Sequence, residues 1–172
     1  METNRASPLI TTCAAFVLLA CGALICVLSS GAQSGKNVSH RIFGQKLVDD
    51  TLAAHPEIGG LELSATPPNK TDCVTIASND PKEIGEKCDK QDVKVMKTNS
   101  PFVEKEIEKG KKIFAVTLPI HDRSGHIIGT AGIDFLWGSE SQEPNMTERA
   151  KRIGAELEAQ LTSKAKMFES VN

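Results

Sequence analysis

The stretch KKIFAVTLPIHDRSGHIIGTAGIDFLW, Lys111 to Trp137, constrains this chain more than any other. Two apolar runs flank the polar segment Asp122-Arg123-Ser124-Gly125, a spacing that predicts a long β-hairpin. Phe114, Val116, Leu118 and Ile120 recur at period two and share one face of the first strand. In the second strand Ile127, Ala131, Ile133 and Phe135 fall on one face; Ile128, Thr130, Gly132 and Asp134 fall on the other. Gly125 supplies the positive φ that a tight turn requires. A hairpin cannot bury itself alone, so the remaining chain must supply more strands and covering helices.

Those elements can be read in order. Asn37 to His55 predicts a helix with Ile42, Phe43, Leu47, Val48, Thr51 and Leu52 on its apolar side, stopped by Pro56. Gly59-Gly60 leads into a strand over Leu61–Ala65. Pro67-Pro68-Asn69 forms a loop, because prolines cannot continue a ladder. A second strand covers Cys73–Ser78. Residues 79–90 read as loop, and Gln91–Thr98 as a short helix carrying Val93 and Met96. A charged strand, Phe102–Ile107, suits a sheet edge, where Glu104, Lys105 and Glu106 discourage pairing with other chains. After Trp137, residues 138–144 form a linker. Asn145 and Glu148 make a capping box for a final helix with Met146, Ala150, Ile153, Leu157, Leu161 and Ala165 on one side. The expected fold class is α+β: a central antiparallel sheet of about five strands with long N- and C-terminal helices.

The first 32 residues read as a targeting segment. Arg5 precedes an uncharged stretch from Ala6 to Gly35, with a strongly apolar run from Leu9 to Leu28. Ser30 and Ala32 fit a signal-peptidase site. An uncleaved membrane anchor and a lipoprotein site at Cys21 are the alternatives, since the run approaches the roughly 20 residues that span a bilayer. All three place the domain, residues 37–170, outside the cytoplasm, periplasmic or secreted. Three of the five cysteines (Cys13, Cys21 and Cys26) lie in this leader, leaving Cys73 and Cys88. In an oxidising compartment the two form either a disulfide or two unpaired small hydrophobes.

The net charge of −2, mixed along the chain, gives no basic face for nucleic acid. There is no phosphate-binding glycine loop, no nucleophile elbow and no zinc-protease helix, so the sequence predicts no enzyme and no cofactor. His121 and His126 flank the turn beside Asp122; without a third histidine nearby they read as solvated turn residues rather than a metal site. Three glycosylation sequons start at Asn37, Asn69 and Asn145, short patterns that arise by chance.

The ordered set His55-Pro56-Glu57, Val74–Ser78, Ile84-Gly85, Asp89, Asp92, Phe114–Ile120, Asp122, Gly125, Ile128-Gly129 and Gly132-Ile133-Asp134 resembles the Cache, or PDC-type, extracytoplasmic sensor domains, whose fold is PAS-like. The resemblance covers residues 40 to 166 and is nearest to small stand-alone exported members. It implies a helix on one face of the sheet and a small-molecule pocket on the other, with Asp134 at the position that meets a ligand's amino group in many relatives. Those relatives add Tyr, Arg and Trp around the ligand, whereas this chain has no Tyr. Full receptors of the family add a second membrane helix and an output domain. These 172 residues hold neither, so the expected role is a periplasmic binder or an accessory to a membrane receptor. Asp134 on an apolar strand needs hydrogen bonds, a cation or a ligand to offset desolvation. Thr130 and Thr117 are the further ligand-binding candidates. The alternative is a non-catalytic interaction module that forms a homodimer through its long helices.

Overall fold

The period-two pattern of the hairpin produces two long strands, Lys111–His121 (β5) and Ile127–Leu136 (β6), joined at a turn where Gly125 has φ 80°. Asp122 Oδ1 closes that turn by accepting from the backbone N–H groups of Ser124 at 2.9 Å and His126 at 3.1 Å. The computed structural model describes residues 41–108, 110–137 and 143–171. The expected leader, the Asn37 sequon and most of the 138–144 linker lie outside the described residues.

Before the hairpin come β1 (Arg41–Ile42), α1 (Phe43–Ala54), β2 (Ile58–Ala65), β3 (Val74–Ser78), α2 (Lys90–Thr98) and β4 (Phe102–Glu108). After it come α3 (Glu143–Gln160), α4 (Lys164–Met167) and β7 (Ser170–Val171). The main sheet has five strands in the order β3-β2-β6-β5-β4, every neighbouring pair antiparallel. β4 is an edge strand, as its charges predict.

One face of the sheet is apolar. Leu61 and Leu63, Phe114 and Val116, and Ala131, Ile133 and Phe135 are all buried there with Leu47 and Val48 of α1 and Ala150, Ile153 and Leu157 of α3. Spacings of three and four bring those helical residues to one side of each helix. The apolar stripe of α3 is thus consumed by the sheet.

Three local expectations are corrected. The first helix begins at Phe43 rather than Asn37, because Arg41–Ile42 is held extended by antiparallel pairing with Ser170–Val171. Asn145 lies inside α3, which starts at Glu143, and is not its cap. The last helix does not continue to Ala165. It ends at Gln160, and Ser163 caps a separate turn by accepting from the Lys166 N–H. That break turns Met167, rather than Ala165, into the core.

Candidate functional site

The opposite face of the sheet is polar at its centre, along β2 and β6. Paired residues in adjacent strands point to the same side, and on this side the register aligns Gly60 with Asp134, Glu62 with Gly132, and Ser64 with Thr130. Ala115 and Thr117 of β5 continue the floor towards Glu104 and Phe102 of β4. A cavity of about 520 Å³ lies on this floor, walled by α2 and by the loop from Asn79 to Asp89. Among the described residues, nine carboxylates line it against one cation, Lys87. The chain has 22 acidic residues, so this convergence exceeds what scattered surface charge produces.

Two of the carboxylates form a crossed pair on the floor. Each lies across a glycine of the neighbouring strand. A Cβ on Gly132 would meet Glu62 Cγ at 2.9 Å, and a Cβ on Gly60 would meet Asp134 Oδ2 at 2.8 Å. Any side chain at either glycine displaces the acid above it, so the missing Cβ atoms are what let the carboxylates lie flat.

The wall is built by α2. Asp89 caps it by accepting from the Asp92 N–H at 2.7 Å, and Asp92 returns the bond by accepting from the Asp89 N–H at 3.3 Å. The other oxygen of Asp92 accepts from Thr130 Oγ1 at 2.6 Å, pinning the helix to the sheet. At its far end α2 is held through Asn99, a left-handed C-cap with φ 51°, whose side chain meets His121 Nε2 at 2.8 Å. His121 Nδ1 meets Glu158 of α3 at 2.6 Å. Gln91 Nε2 donates to Glu104 at 2.6 Å, closing the side towards β4.

Burial and crowding set the electrostatics. Desolvation, reinforced by Asp92, Glu83, Asp89 and Asp134, pushes the Glu62 carboxyl up to about 7. Desolvation also raises Asp92, partly opposed by the hydroxyl of Thr130. The cavity therefore holds protons that exposed carboxylates would have released.

The three residues singled out from sequence separate here. Asp134 and Thr117 line the cavity. Thr130 is wholly buried behind it, its hydroxyl engaged by Asp92. The short helix turns Asp92 and Val95 inward, not Val93 and Met96. Hydrophobic periodicity could not find a buried aspartate, although the spacing Asp89-x-x-Asp92 carries the capping signal. Glu62, Glu104 and Glu106 were legible only as the polar positions of their strands. Cys73 and Cys88 are joined by a disulfide with Cα atoms 5.3 Å apart. His121 turns to Glu158 and Asn99 while His126 Nδ1 meets Ser124 Oγ at 2.7 Å. Among the described residues no three His, Cys, Asp or Glu side chains are grouped to hold a metal ion. A broader trough of about 810 Å³ beside α2 is lined wholly by the segment from Cys88 to Thr98, and one segment encloses nothing.

Neither a protein-family model nor a curated protein matches the chain. Solved structures do. The repressor BlcR of Agobacterium tumefaciens is similar at 11% identity and a TM-score of 0.50, over 72% of this chain and 68% of that one. The nlh2 GAF domain of A. aeolicus, in an inactive state, is similar at 13% identity and a TM-score of 0.51, over 74% and 85% of the two chains. These likenesses show a GAF-like α+β sheet fold.

Proposed function

We propose that this chain is an exported sensor-type domain of the Cache class that binds a small cationic molecule in the cavity over β2, β5 and β6. The observation that carries the reading is the crossed pair of Glu62 and Asp134, laid over glycines on the floor of an otherwise acidic cavity. Such a site repels anions and lowers its own electrostatic energy by accepting a protonated amine. Binding involves no chemical step: the ligand replaces protons and water, and the carboxylates orient it. An ammonium beside Glu62 would draw off the carboxyl proton, so uptake of the ligand releases protons near neutral pH. Export is supported by the apolar run from Leu9 to Leu28 and by the Cys73–Cys88 disulfide. In this reading the domain would work beside a membrane receptor.

The test is a thermal-shift and calorimetric screen at low salt with putrescine, spermidine and choline, and with succinate as the anionic control. An amine should raise the melting temperature and succinate should not, and Asp134→Asn should weaken the amine about tenfold or more. Equal shifts by succinate, or unaltered amine binding by Asp134→Asn, would contradict the reading. No shift by any compound, together with a stable dimer in solution, would favour the interaction module instead.

A further inference from the structure

The loop that walls the acidic cavity is not held by a hydrophobic core. Between Asn79 and Asp89, Ile84 is 46% exposed and no residue is buried. The loop returns alongside β3 through three backbone bonds: Thr75 N–H to Glu86 O at 2.9 Å, Gly85 N–H to Thr75 O at 2.8 Å, and Cys88 N–H to Cys73 O at 3.1 Å. The covalent tether is the Cys73–Cys88 disulfide, which closes a loop of 15 residues in sequence. Cys88 directly precedes Asp89, the cap of α2, so the same bond fixes where the walling helix begins. The loop also gathers Asp80, Glu83, Glu86 and Asp89 on one side of the floor carboxylates. Like charges in that arrangement push the loop outward, and the tether opposes them.

We infer that Cys73–Cys88 is a redox latch: oxidised, it holds the acidic loop and the start of α2 over the cavity; reduced, it lets both swing out. Both cysteines are partly exposed, open to attack by a dithiol reductant. One thiolate of the reductant attacks a protein sulfur, forming a mixed disulfide and expelling the other cysteine as a thiolate. The second thiol of the reductant then closes its own disulfide and frees the remaining cysteine. The protein gains two electrons and two protons, and the dithiol loses them. Control of ligand binding by the latch rests on the cavity being the binding site proposed above; the movement of the wall does not.

Hydrogen exchange of the protein before and after treatment with dithiothreitol tests the latch directly. Amides of residues 79–91 should exchange roughly 10- to 100-fold faster on reduction, with β5 and β6 unchanged. The Cys73→Ser/Cys88→Ser double variant should match the reduced protein and ignore dithiothreitol. Unchanged protection of residues 79–91 would overturn the inference, as would loss of protection throughout the sheet, which marks a global staple. Spermidine titration of both redox states forms a second arm. Affinity lowered about tenfold or more on reduction supports control of the site, whereas equal affinity in both states refutes it. Absence of spermidine binding in the oxidised protein would count against the proposed ligand class alone, because the exchange data still decide whether the wall is latched.

Discussion

Replacing Glu62 by Gln should change stability by an amount that depends on pH in a calculable way. In the folded protein the Glu62 carboxyl titrates near 7, against an ordinary value of 4.5. The native state therefore holds this proton more tightly than the unfolded chain does. Below pH 4.5 both states are protonated and the shift contributes no penalty. Between 4.5 and 7 the unfolded state ionises first, so stability falls as pH rises, and above 7 the whole penalty is present. A difference of about 2.5 pH units at about 1.36 kcal/mol each sets a ceiling of about 3 kcal/mol. Gln keeps the shape and cannot ionise, so Glu62→Gln should exceed wild type by about 1 kcal/mol at pH 5 and about 3 kcal/mol at pH 8. Urea denaturation of both proteins at the two pH values measures this, and the subtraction cancels every group they share. A difference that does not grow with pH would refute the desolvation argument, and a variant less stable at pH 8 would reverse it. A bound cation should narrow the gap at pH 8, since it supplies the charge that Glu62 lacks.

Other substitutions probe the remaining supports. Thr130→Val removes the hydroxyl that donates to buried Asp92, and should cost about 1–3 kcal/mol near neutral pH. In Asp92→Ala/Thr130→Val the cost of losing Thr130 should shrink; equal costs in a double-mutant cycle would show that the 2.6 Å bond does not matter. Leu157→Ala, in the fully buried stripe of α3, should lose about 2–5 kcal/mol in denaturant midpoints. A loss under about 1 kcal/mol would mean that α3 is not packed on the sheet as described.

The hairpin, the edge strand and the two covering helices could be read from Lys111–Trp137, from the charges of β4 and from helical stripes such as Leu47-Val48 and Ile153-Leu157. Each is a local pattern: period two or 3.6 decides which side chains leave water, whatever the partner. The division of β6 into a face for Ile133 and Phe135 and a face for Asp134 followed from the same alternation. Alternation could not say which strand lies beside which. That Glu62 crosses Gly132 and Asp134 crosses Gly60 depends on the antiparallel register of β2 and β6, whose residues lie some seventy positions apart in the chain. The inward turn of Asp92 was equally hidden, because a carboxylate is buried only when a distant group such as Thr130 receives it. In the same way, pairing with Ser170–Val171, and not any local signal, delays the start of the first helix. Local residue patterns thus determined the elements and their apolar faces. Tertiary structure decided the register, and the register turned separate polar positions into one acidic cavity.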